Sequence, residues 1–188
     1  MIVLGLGNPG GNYEKTRHNL GAMAIAEVAA RNGASLVPNI RSKSLLAEVK
    51  IGSEVVALAF PQTYMNNSGQ SLSGLMKKYP ISSPDQVIVI HDELDLPPGV
   101  VRVKKGGGVA GHNGLKSVVV HLGSSDFLRI RIGIGRPMSS NAMVGYVLAV
   151  PPPKEREVVM AGVQVAADAL EELVINGIDH AMNRFNAR

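Results

Sequence analysis

The chain has 188 residues, of which 45% are hydrophobic, 18% charged and 4% aromatic, and it contains no cysteine. This length predicts one domain of roughly 100–200 residues with its own core, and the apolar content excludes a disordered chain. The missing cysteines exclude disulfides, thiolate-bound zinc, iron–sulfur clusters and a cysteine nucleophile, while a net charge of +4 is mildly basic and names no partner by itself.

Residues 1–6 form a short apolar run stopped by glycine and read as a buried strand, followed by a turn containing Asn8 and Pro9. Residues 19–31 read as a helix. Leu20, Met23 and Ala30 lie at helical spacing, Asn19 is a candidate cap, and Gly33 follows the end. Residues 45–51 and 54–60 are apolar-rich runs around Gly52-Ser53, the pattern of a hairpin. Asn67 or Ser68 can cap a helix running to Lys78, and residues 86–90 form a buried strand. Residues 100–104 and 127–134 alternate apolar with basic side chains, as half-buried strands do. Residues 115–122 between them read as a helix closed by Gly123. After Pro151-Pro152-Pro153, residues 154–175 form a long amphipathic helix with a short helical tail. This order predicts an α/β fold in a single globular domain, residues 1–188, with a twisted mixed β-sheet flanked by helices. Residues 137–153 are expected to form a mobile lid, and residues 154–188 the C-terminal helices. No basic leader precedes an apolar stretch, and no apolar run approaches the ~20 residues of a membrane helix. A cytoplasmic protein with no membrane partner is expected.

The charge is unevenly placed. Residues 1–101 balance to zero, residues 137–188 carry −2, and residues 102–136 carry +6. That block holds Arg102, Lys104, Lys105, Lys116, Arg129, Arg131 and Arg136 against Asp126 alone. Such clustering suits a polyphosphate partner, although a solvated basic face has the same appearance.

Gly5-Leu6-Gly7-Asn8-Pro9-Gly10 matches the spacing of a dinucleotide fingerprint. The match fails on context. No helix opens on these glycines, and Glu27 lies inside the next helix rather than after a second strand. The loop nevertheless follows a strand, where α/β proteins place ligands, so Asn8 is a candidate contact. His18 stands at a helix start, where the dipole disfavours its charged form and would leave a neutral base. His91-Asp92-Glu93-Leu94-Asp95, taken to follow the strand ending at Ile90, offers either a hard-metal site or a carboxylate that orients a distant histidine. The glycine-rich stretch from Gly106 to Gly114 lacks the Lys-Ser/Thr of a Walker loop, yet it exposes backbone N–H groups ahead of a helix. Asn66, beside Met65, can offer an amide to a ligand. No G-x-S-x-G, H-E-x-x-H or S-x-x-K motif occurs, so water is the expected nucleophile.

Gly5 to Gly10 with Tyr13 and Thr16-Arg17-His18-Asn19 resembles the opening of bacterial-type peptidyl-tRNA hydrolases. Residues 61–69, 91–99, 106–116 and 131–135 resemble that family's later blocks in the same order. The resemblance implies a monomeric, cytoplasmic hydrolase that needs no metal or organic cofactor. Its substrate would be peptidyl-tRNA, whose peptide–ribose ester it cleaves to recycle tRNA. It further implies His18 as general base, Asp92 as its partner, and Asn113 orienting water or supporting the oxyanion. Asn8, Asn66 and Asn113 would contact the substrate near the ester, with Tyr13, Tyr64 and Met65 lining the cleft. Lys104 and Arg131 would clamp the 5′-phosphate of the acceptor stem, with Arg102 and Lys105 adding to the basic surface. Val109-Ala110 departs from the family's pattern, which often has histidine and glycine there. Three rivals differ in class: a metal-dependent hydrolase built on His91, Asp92, Glu93 and Asp95; a non-catalytic RNA-binding module on residues 102–136; and a nucleotide-binding oxidoreductase.

Overall fold

The computed structural model describes residues 1–187. Seven strands form one mixed sheet: β1 (Ile2–Gly5), β2 (Val37–Asn39), β3 (Ser44–Ile51), β4 (Glu54–Pro61), β5 (Val87–Glu93), β6 (Val101–Lys105) and β7 (Leu128–Gly133). Their order across the sheet is β2-β3-β4-β1-β5-β7-β6. The four central strands, β4, β1, β5 and β7, run parallel, and the outer pairings are antiparallel. Fully apolar stretches such as Ile2-Val3-Leu4 and Val87 to Ile90 suit strands covered on both faces.

The helices are α1 (Leu20–Arg31), α2 (Ser68–Lys78), α3 (Asn113–Leu122), α4 (Met143–Val147), α5 (Pro153–Asn176) and α6 (Ile178–Asn186). Val3, Ile88 and Ile130 point to a core shared with α1 and α5, whereas Ile2, Leu4 and Val89 point to a second core under α2 and α3. Helix α1 sits very close to the sheet. A Cβ on Gly21 would lie 2.1 Å from the Ile90 carbonyl oxygen, and one on Gly5 would lie 2.3 Å from that of Gly21. Two glycines therefore bring the start of α1 against the end of β5.

The expected hairpin and the glycine stop of α3 are present; Gly123 takes the left-handed conformation at φ 73°. Strand β5 runs three residues past Ile90, because His91, Asp92 and Glu93 pair with Arg131, Ile132 and Gly133 of β7. They belong to the strand and not to a turn after it. Strand β2, with Pro38 at its centre, pairs only with β3 and gives too short an apolar signal to be read. The alternation over β7 suggested one solvated face, yet Arg129 there is 1% exposed. Edge strand β6 is finished by α6, whose Asn186 side chain accepts from Val103 N and donates to Val103 O, each at 2.8 Å. The stretch expected to be a lid carries α4, which stands over the carboxyl end of the sheet.

Candidate active site

The carboxyl ends of β1, β4 and β5 meet at the centre of the sheet, where the chain switches sides between β4 and β5. In open α/β sheets this is where ligands bind. A cavity of about 170 Å³ opens there, lined by His18, Asp92, His112 and Asn113 on its polar side. Leu94, Val109, Met143, Val144 and Val147 form its apolar side.

Asp92 is buried and central. His18 Nδ1 lies 2.9 and 3.0 Å from its two carboxylate oxygens, and His112 Nε2 lies 3.1 Å from Oδ1. Burial alone would raise the Asp92 pKa, but the charges and hydrogen bonds of His18 and His112 hold it well below the usual carboxylate range. The carboxylate is therefore ionised and accepts from both rings. For His18 burial lowers the pKa, and the charge and hydrogen bond of Asp92 outweigh that, leaving it above 6.5. The dipole argument predicted the opposite direction; a carboxylate at hydrogen-bond distance is the stronger influence. With Nδ1–H held by Asp92, the lone pair of His18 lies on Nε2.

His112 was missed as a site residue in the sequence. Its Nδ1 caps α3 by accepting from the backbone N–H of Gly114 and Leu115 at 3.2 and 3.4 Å, while Nε2–H donates to Asp92. Both ring nitrogens are thus committed. The helix was expected from residue 115 and starts at Asn113, so the capping position of His112 was not visible. His91 Nδ1 donates to the Asp92 carbonyl at 2.7 Å, and its Nε2 is buried with no hydrogen-bond partner among the described residues. Burial, reinforced by the charge of His112, pushes the His91 pKa down to about 3, so it stays neutral.

Asn19 does not cap α1. Its side chain instead accepts from Asn8 N and donates to Asn8 O, both at 2.9 Å, closing the loop after β1. Asn8 Oδ1 in turn accepts from Met65 N at 2.8 Å, which joins the loops after β1 and β4. The Asn8 amide nitrogen keeps no protein partner among the described residues. Asn66 and Asn113 are exposed, Tyr64 is 62% exposed, and Tyr13 is half-buried. Met65, expected in the cleft, has its side chain in the core under α2 and α3 and is 5% exposed. The cavity brings together His18, Asp92 and Asn113; Asn8, Tyr13, Tyr64, Met65 and Asn66 lie outside its lining.

Arg17, the neighbour of His18, is buried. It holds Glu155 at 2.7 and 3.0 Å, and its Nη1 donates to the carbonyls of Tyr146 and Ala149 at 3.1 and 3.3 Å. It thereby fastens the α4 segment beside the cavity.

On the α3 side of the sheet, cross-strand pairing sets Arg102 opposite Arg131 and Lys104 opposite Arg129. Like charges in this arrangement repel and invite an anion. Lys104 makes no hydrogen bond or ion pair among the described residues, and Arg131 lies 3.7 Å from Glu93. Arg102 donates to Phe185 O at 2.8 Å, and Lys105 points away to Asp85 at 3.2 Å. Of these four side chains, Lys104 and Arg131 alone make no hydrogen bond among the described residues.

The four residues of the metal-hydrolase rival do not converge, since Asp95 pairs with Arg136 at 2.6 Å and His91 faces the Asp92 backbone. His18, Asp92 and His112 do lie within 4.8 Å of one another, but as hydrogen-bonded partners. No helix among the described residues is long and apolar enough to cross a membrane.

The family model described as "Peptidyl-tRNA hydrolase" matches residues 2–188. The peptidyl-tRNA hydrolase of a Mycobacterium strain is 46% identical over 100% of this chain and 97% of its own length. That of Cutibacterium acnes is 43% identical over 99% and 98%. The crystal structure of peptidyl-tRNA hydrolase from Acinetobacter baumannii superposes with a TM-score of 0.93 at 39% identity, covering 99% of this chain and 94% of that one.

Proposed function

The chain belongs to the peptidyl-tRNA hydrolase family, enzymes that cleave the ester joining a peptide to tRNA, and we propose that His18 is its general base. The observation that carries this reading is the double contact of His18 Nδ1 with the ionised Asp92. It leaves Nε2 unprotonated at the cavity wall. Water held there loses its proton to Nε2 as its oxygen attacks the ester carbonyl. Asp92 stabilises the imidazolium that forms. Asn113, the first residue of α3, supports the oxyanion with its amide and the positive end of the helix. When the tetrahedral intermediate collapses, the proton on Nε2 passes to the leaving 3′ oxygen of the ribose. Peptide acid and free tRNA are the products.

His112 holds the second face of Asp92 and ties it to α3, so base and oxyanion support share one frame. Asn8 and Asn66 contact the peptide end of the substrate, with Tyr13 and Tyr64 at the rim; Met65 contributes its backbone through Asn8. Lys104 and Arg131 hold the 5′-phosphate of the acceptor stem, and Arg102 and Lys105 add long-range attraction. Such contacts position tRNA without reading its sequence. The enzyme acts as a cytoplasmic monomer with no cofactor.

The test uses N-blocked aminoacyl-tRNA and measures tRNA release. His18→Ala is expected to lose activity by about 10²–10⁴, the scale of a general base, while tRNA binding is kept. Dialysis against EDTA leaves the wild-type rate unchanged. A His18→Ala enzyme at wild-type rate, or abolition by EDTA, refutes the mechanism.

A further inference from the structure

Arg129 is the largest fully buried side chain, at 1% exposure, and the mechanism gives it no task. Its Nη1 donates to Gly108 O at 2.7 Å, and its Nη2 donates to Gly107 O at 2.6 Å and Ser125 O at 3.3 Å. The guanidinium lies 4.5 Å from the Phe127 ring centroid. Gly108, Val109 and Ala110 continue from this anchor to form part of the cavity wall. Arg129 also stands opposite Lys104 on β6 and two residues from Arg131 on the same face of β7. Lys104 rests against the same loop, since a Cβ on Gly107 would lie 2.7 Å from its Nζ. Gly107 therefore touches both the buried arginine and the lysine assigned to phosphate.

We propose that Arg129 is a positioning residue that couples a phosphate held by Lys104 and Arg131 to the placement of the glycine loop at the catalytic cavity. This rests on the reading of Lys104 and Arg131 as a phosphate clamp. Without an anion the three cations repel one another, with Glu93 beside Arg131 as the carboxylate in the group. Burial and the charges of Arg131 and Arg129 hold the Lys104 pKa below its usual value, so the ammonium is strained where it stands. A phosphate draws Lys104 off Gly107 and screens Arg129 from its neighbours. The loop can respond, because Gly106, Gly107, Ala110 and Gly111 all have positive φ, at 65°, 97°, 46° and 81°. Glycine is at ease in that region, whereas Ala110 is held there under strain. Binding at the acceptor-stem phosphate thus sets the wall against which the peptide ester is attacked.

Arg129→Lys tests this, because it keeps the charge and loses the fork that grips two carbonyls. Wild type and variant are compared on N-blocked aminoacyl-tRNA with and without its 5′-phosphate. Wild type is expected to lose about tenfold in kcat/KM without the phosphate, the effect of one charge-assisted contact, with part of the loss in kcat. Arg129→Lys keeps the KM difference, and its kcat ratio falls to within about twofold of one. If wild type does not discriminate at all, the clamp reading fails and this inference with it. If wild type discriminates through KM alone, or Arg129→Lys keeps the wild-type kcat ratio, the clamp stands and the coupling is refuted. Hydrogen exchange on the wild-type protein is independent of the variant's folding. An acceptor-stem duplex without its single-stranded 3′ end carries no peptide ester, so the cavity has no substrate to respond to. Its 5′-phosphorylated form is expected to change exchange at residues 106–112 and its unphosphorylated form to leave it unchanged. Equal effects of the two duplexes overturn the proposal.

Discussion

Replacing Asp92 with asparagine keeps the shape of the side chain and removes its charge. In the wild-type site Oδ1 receives both His112 Nε2 and His18 Nδ1, at 3.1 and 2.9 Å, and Oδ2 receives His18 Nδ1 at 3.0 Å. An asparagine oxygen at Oδ1 places its NH₂ against His18 Nδ1–H, donor to donor. The clash is relieved if His18 changes tautomer, which puts the proton on Nε2 and blocks the base. The imidazolium formed during attack also loses an opposite charge about 4 Å away, worth about 4 kcal/mol at an effective dielectric near 20. At about 1.4 kcal/mol per decade this gives a fall of about 10³ in kcat, before the tautomer is counted. KM for N-blocked aminoacyl-tRNA should change little. The pH profile supplies a second reading. In wild type Asp92 raises the His18 pKa above 6.5, so activity is lost as pH falls through that raised value. In Asp92→Asn only the lowering effect of burial remains, and the acid limb moves to lower pH. A loss below about tenfold in kcat, or an acid limb that does not move, refutes this account of the pair.

His91→Gln should flatten the acid side of the stability profile. The His91 pKa is about 3 in the fold, so the unfolded chain binds a proton that the folded chain does not, and stability falls as pH drops from 6.5 towards 3. Urea unfolding at pH 7 and pH 4 should show wild type losing about 3 kcal/mol more than the variant; His18 has the opposite sign, gaining stability as pH falls to 6.5, and is common to both. Gly21→Ala forces a Cβ into a backbone carbonyl that cannot turn aside, so the cost lies near the upper end of overpacking, about 3 kcal/mol, read as a melting point lower by about 6–12 °C. Lys104→Ala should weaken tRNA binding and reduce the slope of log affinity against log salt by about one; an unchanged slope removes Lys104 from the phosphate contact.

The sheet was legible where one local rule was sufficient. The apolar runs of β1 and β5 and the Gly52-Ser53 hairpin follow from their own residues. Strand β2 was not legible, because three residues around Pro38 gain their pairing from β3. The last three residues of β5 were hidden for a related reason. His91-Asp92-Glu93 carries the polarity of a turn, and its strand geometry comes from β7, forty residues later. Arg129 and Arg131 gave the alternation of a half-exposed strand, and Arg129 is buried because the distant glycine loop lies over it. The site shows the same limit. His18 and Asp92 are 74 residues apart, and their pairing entered through the family resemblance and not through spacing. His112 escaped because the helix it caps was expected from residue 115 and starts at Asn113, and its contact with Asp92 has no local signature.

Both walls of the cavity are fastened in the same manner. Arg17 grips the carbonyls of Tyr146 and Ala149 on one side, and Arg129 grips those of Gly107 and Gly108 on the other. Every residue type carries a carbonyl, so these attachments are blind to the side chains that the walls present. Val109, Met143 and Val144 can therefore change identity without loosening the segments that bear them. An enzyme whose substrates share one ester but differ in every peptide gains from this arrangement: its lining is open to evolutionary revision, and its frame is not.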